Sequence, residues 1–227
     1  MASLPRRREA MTRVKICGIR RIRDALLAAQ AGADAVGVLV GRRHPSPDFI
    51  PPEQAAEILE SLPPFVHGVL VSHLEEPAAL GDLIERTGAA VVQVHGPMPP
   101  EGLRELRRRR AGLRILRAVH LLGPEGLEAA AALAPWVDGL VADSANPRTG
   151  QVGGTGLVHD WQLSARLRER VEVPLILAGG LHAGNVNEAI ARVRPWAVDV
   201  NSGVKGADGY KDPARLREFL EAVRSRR

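Results

Sequence analysis

Short apolar runs alternate along the whole chain with longer stretches in which apolar residues return every three or four positions. The first kind of run predicts strands at Val14 to Cys17, Ala35 to Val40, Val66 to Ser72, Ala90 to His95, Arg114 to His120, Gly139 to Asp143, Pro174 to Ala178 and Ala197 to Asn201. The second predicts helices near 23–31, 52–61, 77–86, 100–110, 124–133, 161–170, 184–192 and 213–224. Pro52, Pro77, Pro100, Asp160 and Asp212 stand where a first helical turn tolerates a missing N–H or uses a side-chain acceptor. Strands that alternate one by one with helices call for a parallel sheet. Eight such units joined by short connections in 227 residues fit a closed (β/α)8 TIM barrel, a fold of about 250 residues. An open doubly wound sheet would carry a glycine fingerprint after its first strand, and "CGIRRI" is not one.

In such a barrel the active site lies at the carboxyl ends of the strands. That rim would gather Cys17, the loop after Val40, Ser72, His95, His120, Asp143, Gly179 with Gly180, and Asn201 to Gly203. Polar and ionisable residues at the ends of otherwise apolar strands are the chemical signal here. "LAGGLHAGNV" after the seventh strand and "VDVNSGVK" at the eighth offer glycine-bearing turns whose free N–H groups suit a phosphate. The loops after strands seven and eight frequently have that task in this fold. Asp143 opens the long loop "ADSANPRTGQVGGTG", where a carboxyl group either donates a proton or caps the loop's own amides. His95, in "VQVHG", either polarises a substrate or holds a loop by hydrogen bonds.

Composition narrows the function classes. A single cysteine excludes an internal disulfide framework, and no run has the apolar length of a membrane span or the layout of a secretory signal. A cytoplasmic setting is expected. The formal charge is +5 and the isoelectric point 10.3. The arginines cluster in Arg6 to Arg8, in Arg107 to Arg110 and at the C-terminal end, where helix exteriors and chain ends fall, and aromatics make up only 3% of residues, too few to stack on bases. A solvated arginine surface with an anionic small substrate is therefore expected, with no nucleic-acid or membrane partner. His44, His67, His73, His120, His159 and His182 have no metal-ligand spacing among them, so no metal is expected. Residues 1–11 lack periodicity and read as a disordered extension, with Met11 as an alternative start; residues 12–227 read as one barrel domain.

"VKICGI", "GADAVGV", "VQVHG", "GGTG" with "DW", "LAGGL...NV" and "VDVNSGV...KD" follow one another in this order from about residue 12 to the end. In this the chain resembles the phosphoribosylanthranilate isomerase family of tryptophan biosynthesis. The resemblance implies a ribulose-phosphate-binding barrel that performs an Amadori rearrangement. An N-(5-phosphoribosyl) amine becomes a 1-amino-1-deoxyribulose 5-phosphate, with no cofactor. It also implies Cys17 as general base and Asp143 as general acid, with phosphate held by Gly154, Gly179, Gly180, Asn201, Ser202 and Gly203. Lys15, His95, Asp48, Arg42, Arg43 and Lys205 are the candidates for the rest of the substrate. A free thiol has a pKa near 8.5, and Lys15, two residues before Cys17 on the same strand face, is expected to bias it towards thiolate.

Two positions depart from the family's pattern in charge, and in "VLVSH" Ser72 and His73 stand near a position where the resemblance implies asparagine. The resemblance implies an arginine for the anthranilate carboxylate where "SPDFIPPE" has Asp48, and a glutamate where "NSGVK" has Lys205. A carboxylate facing a carboxylate is repulsive. Either Arg42 or Arg43 supplies the missing cation, or the chain acts on a different phosphoribosyl-linked amine. A non-catalytic phosphosugar-binding barrel is a further alternative. The mixed arginine and glutamate helix exteriors show no large apolar face, leaving monomer or weak homodimer.

Overall fold

The computed structural model describes residues 11–41, 46–144 and 160–225. Eight strands, β1 (Arg13–Ile16), β2 (Ala35–Leu39), β3 (His67–Ser72), β4 (Val91–Val94), β5 (Arg114–His120), β6 (Gly139–Asp143), β7 (Leu175–Leu177) and β8 (Ala197–Val200), pair in chain order, all parallel, and β8 closes on β1. Their helices are α1 (Ile22–Ala31), α2 (Pro52–Glu60), α3 (Pro77–Thr87), α4 (Pro100–Arg109), α5 (Pro124–Leu133), α6 (Trp161–Arg170), α7 (Val186–Val193) and α8 (Pro213–Arg224). Two short 3-10 turns, Ala134–Trp136 and Ser202–Val204, were not foreseen from the sequence.

Strand alternation divides the core in two. Val14, Ile16, Val36, Val38, Leu70, Val92, Ile115, Leu140, Leu175 and Val198 face outward and pack with the helices into the larger core. The opposite parity fills the barrel: Cys17, Leu39, Val69 and Val71 on one side, and Val141, Ile176, Ala178 and Ala197 on the other, with Leu116 touching both groups. Because inward residues recur every second position, the residues above these valines and alanines belong to the carboxyl-end rim.

The helix starts follow the sequence chemistry. Proline occupies the first turn of α2, α3, α4, α5 and α8. Asp160 accepts from the Gln162 N–H at 2.8 Å and Asp212 from the Arg215 N–H at 2.8 Å, each relieving an orphan donor. Three of the four arginines in the run are engaged within the chain. Arg107 pairs with Asp138 at 2.8 Å, Arg109 with Asp82 at 3.0 Å, and Arg110 donates to the Gly88 carbonyl at 2.9 Å. These contacts tie α4 to its neighbours across the helix exterior.

Candidate active site

One side of the rim is built from ions. Lys15 and Asp199 stand opposite each other in the β1–β8 register, and Lys15 Nζ donates to Asp199 Oδ2 at 2.7 Å with both side chains about 5% exposed. Gly37 on β2 makes room beside them: a Cβ there would lie 3.0 Å from Cys17 Sγ and 3.1 Å from Lys15 Nζ. A side chain at residue 37 would drive the thiol and the ammonium apart. Burial opposes the Lys15 charge, but Asp199, reinforced by Cys17, outweighs it and raises the lysine's pKa.

Lys15 was expected to turn Cys17 into a thiolate, and the net shift runs the other way. Burial raises the Cys17 pKa, Asp199 adds to it, and the opposing pull of Lys15 and Lys211 is too small to reverse it. Lys15 does favour the thiolate, but its charge is largely answered by Asp199. The resting group is a thiol.

The ion network continues along β8. Asp48 accepts from Lys205 Nζ at 2.6 and 2.7 Å and from Asn201 Nδ2 at 2.9 Å, with Arg20 Nε 3.9 Å away. Burial alone would raise its pKa, and the Lys205 and Asn201 hydrogen bonds more than offset this and hold it below the usual carboxylate range. The repulsion expected of an unanswered Asp48 is therefore absent. The two departures from the family pattern neutralise each other in one partly buried pair. Arg42 and Arg43, the other cations considered, lie outside the described residues, as does Gly154.

Asn201 is also held from below. Lys211 Nζ donates to its backbone oxygen at 2.9 Å and to Oδ1 at 2.8 Å, so the amide of Asn201 is committed to Lys211 and Asp48. Burial lowers the Lys211 pKa to about 7. Next to Asn201, Ser202 and Gly203 form the 3-10 turn, and the Gly203 α-carbon presses on the Leu181 carbonyl, where a Cβ would come within 2.1 Å. The loops after β7 and β8 thus touch. Gly179 and Gly180 take left-handed φ values of 84° and 64°, and Asn185 clamps their turn, donating to the Gly180 carbonyl and accepting from the His182 N–H, both at 2.9 Å.

The other side of the rim is built largely from rings. Phe49 meets His73 edge to face at 5.4 Å, His73 stacks on His95 at 4.3 Å, and His95 lies 5.4 Å from His120. Among the described residues neither ring nitrogen of His95 has a hydrogen-bond partner, so no described loop is held by it. Burial, with His73 and His120 beside it, lowers the His95 pKa well below normal, so the imidazole is neutral. Asp143 divides its two oxygens. Oδ1 caps the Ser144 N–H at 2.7 Å, and Oδ2 lies 3.9 Å from His95 Nε2. Burial raises its pKa to about 7, with Asp199 adding to the shift while the Ser144 N–H and Lys15 oppose it. Lys15 and Asp199 thus act electrostatically on both Cys17 and Asp143.

Asp199, Lys211 and Arg20 were missed as site residues, whereas His120 was expected at the rim. Asp199 left a trace, a carboxylate flanked by valines in "VDV", and Lys211 stood unassigned in the "KD" motif. The lack of a metal motif among the histidines has little force, because adjacent strands bring His95, His120 and Asp143 together without any local spacing.

A barrel whose rim sets a thiol and a protonatable carboxyl group around one buried ion pair belongs to the acid–base enzymes. Residues 14–222 match the model of the family described as N-(5'-phosphoribosyl)anthranilate (PRA) isomerase. The chain is 38% identical over 213 residues to an N-(5'-phosphoribosyl)anthranilate isomerase 2 of Methanosarcina mazei, covering 94% of each. It is similar to the crystal structure of phosphoribosyl anthranilate isomerase from Thermotoga maritima, with TM-score 0.83 and 37% identity over 95% of this chain and all of that one. Another similar structure, at TM-score 0.80 and 35% identity over 95% of this chain and all of that one, is a phosphoribosyl anthranilate isomerase in complex with reduced 1-(o-carboxyphenylamino)-1-deoxyribulose 5-phosphate. The chain belongs to the N-(5'-phosphoribosyl)anthranilate isomerase family.

Proposed function

We propose that this chain isomerises N-(5'-phosphoribosyl)anthranilate to 1-(o-carboxyphenylamino)-1-deoxyribulose 5-phosphate, with Asp143 as general acid and Cys17 as general base. The observation that carries the assignment of roles is the unequal setting of the two groups. A carboxyl group raised to about 7 keeps its proton near neutrality, and a thiol beside Lys15 has a cation to lean on once it gives its proton up.

Asp143 O–H protonates the ribose ring oxygen. The C1–O bond breaks as the nitrogen lone pair forms C1=N⁺. That iminium acidifies C2–H, and the Cys17 thiolate takes this proton while the C2–H electrons form C1=C2 and the nitrogen regains its lone pair. The aminoenol then ketonises, its C2 hydroxyl losing a proton as C1 gains one, and no net atom enters or leaves.

Substrate binding divides along the same rim. Backbone N–H groups of Gly179, Gly180, Ser202 and Gly203 suit the phosphate. The stacked rings of His73 and His95, with Phe49 edge-on against His73, give an aromatic wall beside Asp143. At the other end, Asp48 and Lys205 cancel in charge, and Arg20, though its guanidinium donates to the Pro47 and Gly209 carbonyls, leaves the cluster one net positive charge towards a carboxylate. This favours anthranilate over a neutral or cationic aglycone. Asp48 is thereby a positioning residue for Lys205. Among the described residues no helix is long and apolar enough to cross a membrane. A cytoplasmic biosynthetic enzyme, a single barrel over 12–227 acting as monomer or weak homodimer, completes the reading.

Steady-state assay with phosphoribosylanthranilate, backed by complementation of a tryptophan auxotroph, tests it. Cys17→Ala and Asp143→Asn are each expected to lower kcat by roughly a hundred- to ten-thousand-fold with KM little changed. Wild-type inactivity, or a variant that retains full kcat, overturns the assignment.

A further inference from the structure

We infer that His95, His120 and Asp143 also form a binding site for a divalent transition-metal ion of the zinc class, and that an ion bound there arrests turnover. The arrest rests on the isomerase reading; the binding does not.

One ligand atom from each residue falls within 4.8 Å of the other two, and the His95 Nε2 to Asp143 Oδ2 separation is 3.9 Å. A tetrahedral zinc ion with bonds of 2.0–2.2 Å sets its donors about 3.4 Å apart, so a contraction of about 1 Å, within the reach of side-chain torsions, completes the set. His95 and Asp143 are nearly buried, on ends of strands fixed by the barrel, and the stacking of His73 holds the His95 ring in place.

The independent pointer to a ligand is His95 itself. Its side chain is 6% exposed and neither ring nitrogen has a hydrogen-bond partner. Native proteins seldom bury such a group without an acceptor, a donor or a metal to complete it. Two imidazoles and one carboxylate suit zinc, cobalt or nickel better than magnesium or calcium, and three protein donors leave positions open for water. The rim offers one other soft donor, the Cys17 thiol, but Lys15 Nζ lies against it and repels a cation there. Across the mouth, Lys15 is answered by Asp199. A filled site would take the oxygen from which Asp143 delivers its proton.

Protein stripped with a chelator, then titrated with Zn2+ by calorimetry and with Co2+ by ligand-field absorption, tests this. One ion per chain is expected, with no thiolate-to-cobalt charge-transfer band. His95→Asn and His120→Asn should each weaken binding by at least about tenfold, while Cys17→Ser leaves it unchanged. Circular dichroism of each variant separates lost binding from lost fold. Zn2+ should suppress kcat/KM reversibly, and the product analogue should compete with it. The proposal is overturned if there is no saturable one-to-one binding, if binding is unchanged in both histidine variants, if it is lost in Cys17→Ser, or if the wild type shows a thiolate band.

Discussion

The β8–β1 side of the rim and the β4–β6 side solve the problem of burying polar groups in opposite ways. On the first, Lys15 meets Asp199 and Asp48 meets Lys205 at 2.6–2.7 Å, while Lys211, held by the oxygens of Asn201, has its pKa lowered to about 7 by burial. On the second, His95 is neutral with both nitrogens unpartnered, and Asp143 holds a proton up to about pH 7. Buried ions must be paired or they are not tolerated. Neutral polar groups can be left incomplete at a smaller cost, and a substrate can then complete them. On the roles proposed above, the charged side serves as fixed scaffolding for the thiol and the β4–β6 side is where proton donation would take place.

Breaking the charged side should cost the most stability. Asp199→Asn leaves the Lys15 ammonium buried without its counter-ion, and the expected loss is about 3–5 kcal/mol by denaturant unfolding. His95→Gln should cost far less, since no hydrogen bond is lost from either nitrogen. Equal losses would erase the distinction between the sides.

Reversing the second pair sharpens the comparison. Asp48→Lys alone sets two ammonium groups together, and Lys205→Asp alone sets two carboxylates together, so each should destabilise by about 2–4 kcal/mol. The double reversal should recover much of the loss. Recovery stays incomplete because Asn201 donates its amide to residue 48 while its oxygen serves Lys211, and the amide cannot satisfy both in the reversed order. Additive losses would show that the contact between 48 and 205 carries no energy.

The smallest effect belongs outside the rim. Arg109 pairs with Asp82 on an exposed face, and Arg109→Ala should shift stability by under about 1 kcal/mol and leave kcat untouched.

All eight strands and all eight helices were legible in the sequence, because the inward and outward parity of each strand and the proline-marked helix starts are local properties. The start of α7 was less so. The 184–192 stretch begins its helix only at Val186, since Asn185 spends its side chain on the preceding turn. Individual rim residues were legible as polar breaks at strand ends, Cys17 and Asp143 among them. What touches what was not. Lys15 and Asp199 are 184 residues apart and Asp48 and Lys205 are 157 apart, so only closure of the barrel makes them neighbours. The same limit explains Asp48, whose repulsion could be foreseen but whose partner could not. The Cys17 shift failed for another reason. Its sign depends on how deeply the sulfur lies relative to a lysine whose charge is already answered, and depth is not written in a motif.

The pH dependence of kcat/KM for wild type and Asp143→Asn tests the two-sided account most directly. With Asp143 titrating near 7 and Cys17 above the ordinary thiol range, the one-proton enzyme is most populated between them, and its working form is the minor one with acid protonated and thiol ionised. Wild-type kcat/KM should rise with pH through about 7, hold, and fall as Cys17 titrates. In Asp143→Asn the rise near 7 should vanish, although Lys211, also lowered to about 7, remains. A rise near 7 that persists in that variant, or a wild-type profile flat through neutrality, would contradict the assignment of Asp143 as the proton donor.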